Sequence, residues 1–299
     1  MDVMEIASGL QFPEGPVAMA DGSVILVEIA AGAITRVRPD GSKETVAKPG
    51  GGPNGAALGP GGALYVCNNG GLAWTRREDG RLMPAHSAED HAGGRIERID
   101  LATGKVEVLY ESCGGNRLSA PNDLVFDAHG GFWFTDHGAT IGRMRARGAV
   151  HYARADGSHI EEASFPLEGP NGIGLSPDGA ELYVAETVPC RLWAYPVTAP
   201  GKLGRRRFVA NPGGLQYFDS LAVDAEGNVC VATILNGGVT SISPDGRRVE
   251  HFPAPDRLTT NVCFGGPALR TAYLTLSGTG KLVSMTWPRP GLRLNHADG

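Results

Sequence analysis

The residues best suited to chemistry in this chain are acids and amides that recur at one position of a repeated phrase. The phrase reads FPEGPVAMADGSVILVE from Phe12, then GPNGAALGPGGALYVCN, APNDLVFDAHGGFWFTD, GPNGIGLSPDGAELYVAE, YFDSLAVDAEGNVCVAT and a more worn TTNVCFGGPALRTAYLT. Aligned without gaps, its first polar residues are Glu14, Asn54, Asn122, Asn171, Asp219 and Thr260, with Asn261 beside the last. If the six copies converge, Glu14 and Asp219 meet. Two carboxylates roughly 5 Å apart at an effective dielectric near 20 repel by about 3 kcal/mol. Either one stays protonated or a cation sits between them. Asn122 and Asn171 add amide oxygens, which makes an all-oxygen set with two negative charges. That set suits a hard divalent ion that keeps positions open for water and substrate. Calcium is the first choice, with Mn2+ and Mg2+ behind it; Zn2+ comes last because no His or Cys falls in the set.

Convergence depends on the elements that carry these residues. The intervals between them are 40, 68, 49, 48 and 41 residues. Repeats of that length, each with an apolar stretch, a glycine-containing turn and a second apolar stretch, signal a closed radial array. Each repeat reads as four strands, with Asp40-Gly41, Asp156-Gly157 and Asp245-Gly246 as hairpin turns between the outer two. The predicted fold is all-β: a six-bladed β-propeller with four antiparallel strands per blade and a metal in its central channel, one domain over residues 1–299. The first strand of each blade runs away from its polar residue, so the six ring one mouth of the channel. Two segments compete to complete the last blade outside 281–287: Val3 to Ala7 and Leu292 to Asn295. The long second interval holds an insertion over residues 70–94, carrying Trp74, His86 and His91. Strand parity places it over the ring, either as a lid or as a solvated loop.

Composition narrows the partners. The 44 glycines and 21 prolines suit many short strands and tight turns. A net charge of −5 gives no basic footprint, so nucleic acid is not an expected partner. No apolar run is long enough to span a membrane, and the start MDVMEIASGL has no signal-peptide pattern. The five cysteines form no CxxC pair; Cys67, Cys230 and Cys263 read as small core residues. A cytoplasmic setting is expected. SGTGK at Ser277 to Lys281 lacks the upstream glycine of a phosphate loop, and no Gly-x-Ser-x-Gly elbow occurs.

The pieces FPEGP, APNDLVFDAHGGFWFTD, GPNGIGLSPDG, YFDSLAVDAEGNV and FGG at Phe264 to Gly266 occur in one order across nearly the whole chain. Together they resemble the SMP-30/gluconolactonase/LRE family of propeller lactonases, itself similar to the propeller phosphotriesterases. The resemblance implies a catalytic divalent ion on Glu14, Asn171 and Asp219, with Asn122 either in its shell or on the substrate. It also implies Asp219 as general base. His137, at the end of a strand in the third repeat, is a further acid or base candidate, with a surface-loop histidine as its plain alternative. The sequence departs from the sugar lactonases of the family at Ala120, where an arginine often stands; Arg117 is out of register. Phe12, Tyr217, Phe218 and Trp74 flank the set, which points to a less polar lactone or ester; packing is the competing account. Three readings stay open: a metal-dependent lactonase on a small-molecule lactone or ester, a phosphotriester or phosphofluoridate hydrolase on the same site, and a non-catalytic propeller whose ion is a structural plug.

Overall fold

The computed structural model describes residues 2–297. The repeated phrase forms the inner half of each blade. Its innermost strands are Pro13–Ala18, Pro53–Leu58, Pro121–Phe126, Pro170–Leu175, Tyr217–Val223 and Thr259–Gly265. Each pairs antiparallel with the next strand of its own sheet and lies beside the innermost strands of the two neighbouring blades, so the six close a ring around a central channel. The third blade is typical: Pro121–Phe126, Gly131–Asp136, Gly148–Arg154 and Ile160–Leu167 in consecutive antiparallel order.

The last blade is completed by the N-terminal strand Val3–Ala7, which pairs with Lys281–Thr286. The competing segment forms no strand there. Pro288 and Pro290 remove backbone donors just past Thr286, and the chain instead crosses the far mouth of the channel. Arg289 bonds Asp224 at 2.7 Å, Leu292 N–H donates to the Val223 carbonyl, and the Asn295 amide donates to the Phe126 carbonyl. Above this tail lies an apolar cavity of about 580 Å³, lined by residues such as Val17, Leu124, Ile173 and Val262.

The core is distributed. Apolar residues of adjacent blades interdigitate in six clusters, one per blade-to-blade seam. Cys67 and Cys230 are buried in it, as expected, whereas Cys263 is half-buried on the channel wall. No helix among the described residues is long and apolar enough to cross a membrane.

The phrase ends on a second polar residue with a structural task. Glu28, Asn68, Asp136 and Glu186 stand opposite Pro13, Pro53, Pro121 and Pro170, the first residues of the innermost strands. Proline offers no N–H, so each side chain reaches to the loop just before it. Gln11 N–H donates to Glu28, Gly52 N–H to Asn68, Ser119 and Ala120 N–H to Asp136, and Glu168 N–H to Glu186, at 2.6–2.9 Å. These bonds clamp the entry of four ring strands and fix where each ring residue begins.

Candidate active site

All six innermost strands change pairing register at the ring residue: between Glu14 and Val17, Pro53 and Ala56, Pro121 and Leu124, Pro170 and Ile173, Phe218 and Leu221, and Thr259 and Asn261. A bulge re-aims side chains locally, so two successive residues address the channel. In three blades the second is glycine, which lets neighbouring strands touch. A Cβ on Gly15 would meet the Asn54 carbonyl at 2.5 Å, and one on Gly55 would meet Asp123 Cα at 2.6 Å. In the other three blades the second residue is Asp123, Ser220 or Asn261.

Glu14, Asn54, Asn122, Asn171 and Asp219 are all buried at the starts of the innermost strands, and Asp219 lies within hydrogen-bond reach of Asn171 and within reach of the charge on Glu14. Glu14 Oε2 accepts from Asn261 Nδ2 at 2.7 Å and from Gly15 N–H at 2.8 Å. Asn171 Nδ2 donates to Thr187 Oγ1 at 3.1 Å, and its Oδ1 has only a 3.4 Å contact from Ser220 Oγ. Two ring assignments change. Thr260 turns between blades to bond Thr275 and Ser277, so Asn261 is the sixth blade's channel residue. Asp123, absent from the sequence-derived set, lines the channel just beneath the ring. The visible signal for it was the glycine in the same position of three other repeats.

Three buried carboxylates therefore share one region. Burial pushes Asp219 well above the ordinary carboxylate range, and the charge on Glu14 pushes it further. Glu14 is raised by burial, partly offset by Asn261 and Gly15. Asp123 is pushed up to about 8, by burial and then by Glu14. Among the described residues no Lys or Arg is shown bonding any of them, and the Asn122 Oδ1 atom is buried without a hydrogen-bond partner. Buried polar atoms are seldom left so. Clustered acids plus an orphaned amide oxygen fit a divalent cation with oxygen ligands. Among the described residues no three His, Cys, Asp or Glu side chains group as a metal site; a site here has to combine two acids with amide oxygens.

The flanking candidates divide. Phe218 is 0 % exposed and packs between the fourth and fifth blades. Its assignment to the substrate rim is corrected: the bulge turns Asp219 to the channel and sends Phe218 into the seam. Phe12 is likewise buried, beneath Trp74 with ring centroids 5.0 Å apart, and belongs to the core between the first two blades. Trp74 and Tyr217 remain partly exposed on the ring face. The 70–94 insertion is a hairpin of Leu72–Arg76 and Leu82–Ser87. It reaches the third blade where Thr140 N–H donates to Ser87 Oγ at 3.3 Å. His91 bonds the Ser119 carbonyl at 2.9 Å, and His86 stays exposed. His137 is half-buried against Thr187 and Arg145 rather than on an open loop. Burial, then the Arg145 charge, lowers its pKa to about 4, so it is neutral at neutral pH.

A closed ring of six inner strands with acids and amides at one mouth defines a six-bladed propeller with a buried polar centre. Comparison with known proteins narrows this further. Residues 12–278 match the SMP-30/Gluconolactonase/LRE-like region, and the chain belongs to that family. It is 27% identical over 293 residues to a gluconolactonase of Zymomonas mobilis, spanning 87% of this chain and 75% of that one. It is 32% identical to a 6-deoxy-6-sulfogluconolactonase of Pseudomonas putida over 62% of this chain and 64% of that one. The solved structure of a gluconolactonase from Xanthomonas campestris superposes with a TM-score of 0.76 at 25% identity, covering 96% of this chain and 89% of that one.

Proposed function

We propose that this chain is a divalent-cation-dependent hydrolase that opens a lactone ring to a hydroxy acid. The observation that carries the reading is the burial of Glu14 and Asp219 within reach of each other's charge, with the buried amides of Asn122 and Asn171 and, among the described residues, no Lys or Arg shown bonding either acid. Glu14, Asn171 and Asp219, with Asn122, would hold the ion, calcium by ligand type. A bound divalent ion supplies positive charge that polarises the lactone carbonyl.

The chain's own groups do the proton work. Asp219 accepts a proton from the attacking water as oxygen adds to the carbonyl carbon. When the ring C–O bond breaks, the departing oxygen takes that proton and the hydroxy acid leaves. Asn261 holds Glu14 in place, and the insertion hairpin covers part of the ring face as a lid. His137 serves less well as a base than Asp219, because its Nε2 is engaged by Thr187 and Arg145. The named relatives support a sugar lactone, whereas Ala120 and the partly exposed Trp74 and Tyr217 support a less hydroxylated one. With Phe12 and Phe218 buried, the aromatic case for the latter halves. All five cysteines are free, which fits a reducing compartment.

The test is a lactone panel of gluconolactone, an aliphatic γ-lactone and dihydrocoumarin, assayed before and after chelation. Hydrolysis that is lost on chelation and restored by calcium supports the proposal. Unchanged rates in protein shown to be metal-free would refute it.

A further inference from the structure

A line of polar contacts runs outward from Asn171, behind the ring. Asn171 Nδ2 donates to Thr187 Oγ1 at 3.1 Å; Thr187 Oγ1 lies 3.3 Å from His137 Nε2; His137 Nε2 lies 3.4 Å from an Arg145 guanidinium nitrogen. The polarity of this line is fixed from its outer end. A guanidinium only donates, so His137 Nε2 must present its lone pair and carry its proton on Nδ1. The Thr187 hydroxyl shares that one lone pair as a second, weak donor at 3.3 Å, which leaves its own oxygen free to accept. The amide group that faces Thr187 is therefore the NH2 of Asn171, with its second hydrogen towards Asp219. The carbonyl oxygen Oδ1 is thereby the atom not engaged by Thr187, and it holds only a 3.4 Å contact from the Ser220 hydroxyl.

Thr187 is itself held on three sides. Its N–H donates to the Gly169 carbonyl at 3.0 Å, two residues before Asn171. Its own carbonyl accepts from Phe218 N–H at 3.3 Å, one residue before Asp219. It lies in the turn after Glu181–Glu186 and so bridges the strands that carry two of the candidate ion ligands.

We propose that Thr187 is a positioning residue that, oriented through His137 by Arg145, presents the carbonyl oxygen of Asn171 to the cation. This rests on the metal reading above. Without the line, the Asn171 amide is free to turn over and offer its NH2 to the ion, which a cation does not accept. The neutral state of His137 at neutral pH agrees with an acceptor Nε2.

The experiment is calorimetric titration of calcium into the full chain and its variants, with melting curves alongside. Thr187→Val keeps the shape and removes the hydroxyl. It should weaken calcium binding by about 10- to 100-fold, as outer-shell changes do, while still melting cooperatively. Thr187→Ser restores the hydroxyl and should bind within about threefold of the unmodified chain. Arg145→Met releases the outer end and should weaken binding several-fold, less than Thr187→Val. Thr187→Val that binds calcium within twofold of the unmodified chain overturns the inference, and so does Thr187→Ser as weak as Thr187→Val. Unmodified protein that binds no divalent ion overturns the metal reading and this inference together. Unmodified protein that binds calcium with the expected variant pattern, yet opens no lactone, defeats the proposed function and leaves Thr187's role standing.

Discussion

Two sets of acids sit on the first and second strands of the blades and differ in what surrounds them. At the ends of the second strands, Glu28, Asp136 and Glu186 each meet donors. Asp136 takes three backbone N–H groups, from Ser119, Ala120 and Gly138. Glu186 takes Glu168 N–H, Arg191 and Trp193. At the channel, Glu14, Asp123 and Asp219 lie within reach of one another's charge and accept from amides and backbone N–H groups, and among the described residues no Lys or Arg is shown bonding them. Residue type is alike in the two sets, and both accept hydrogen bonds; what differs is that the channel acids also lie within reach of one another's charge. A carboxylate whose oxygens are met by N–H groups and which feels no second acid is part of the scaffold. One held against its own kind, beside an orphaned amide oxygen, is waiting for a cation or a proton. Substitutions in the two sets should therefore fail in different ways.

The largest effect is expected at Asp219. Asp219→Asn keeps the shape but removes the base and one negative charge, and kcat should fall by about a thousandfold, within the range for loss of a general base. The melting temperature should hold or rise, because a buried repulsion is relieved. Wild-type turnover by this variant would remove Asp219 from the chemistry and collapse the contrast between the two sets.

Asp136→Ala tests the other side. It strands three backbone N–H groups at the entry to the third blade's ring strand. The cost should be about 3 kcal/mol or more, since charged hydrogen bonds are worth roughly 1.5–3 kcal/mol each and are not additive. Chemical denaturation measures it. If Asp136→Ala leaves stability untouched but abolishes turnover, the scaffold assignment is wrong.

How far the sequence anticipated this contrast follows from its physics. Equivalent polar residues in six repeats were legible because a closed array repeats its inner strand, and the six inner strands that carry them do close a ring, with Asn261 rather than Thr260 on the channel in the sixth. The bulge was not legible. It adds one residue to one strand without changing the apolar alternation that marks a strand, so Asp123 and Asn261 went unassigned to the channel and Phe218 was placed on the rim. The closing residues Asp136 and Glu186 were visible as letters of the phrase, but their N–H partners lie in loops with no pattern of their own. The choice of closing strand turned on Pro288 and Pro290, whose lost donors stop the last strand short of the tail.

A third test uses pH on chelated protein. Asp123 has its pKa raised to about 8 in the folded chain, against an ordinary 3.8. Between those values the folded state keeps a proton that the unfolded state has lost. Stability from this group is complete below about pH 4 and drains away as pH rises towards 8, by at most about 1.4 kcal/mol per unit. Melting temperatures of metal-free protein should therefore fall from pH 5 to pH 8. Asp123→Asn should flatten the fall, and calcium should offset it in the unmodified chain. Parallel curves for Asp123→Asn and the unmodified protein would show that the channel acids are as well satisfied as those at the strand ends.

The smallest effect concerns the insertion hairpin. The insertion hairpin is held by Trp74 on Phe12, by Ser87 near Thr140, and by His91 on the Ser119 carbonyl. Phe12 immediately precedes the Pro13–Ala18 strand that bears Glu14, so the indole ties the hairpin to the acid side of the ring. Trp74→Ala loosens one attachment and leaves the others, at a cost of about 1 kcal/mol for the aromatic pair beyond its buried area. None of the proton-handling groups moves. If the hairpin covers bound substrate, KM for an aromatic lactone such as dihydrocoumarin should rise by about two- to fivefold, the size of a contact worth under 1 kcal/mol, with kcat nearly constant. A change confined to kcat would place Trp74 among groups that act on the reacting atoms. No change in either constant would make the hairpin part of the scaffold, alongside Asp136 rather than Asp219.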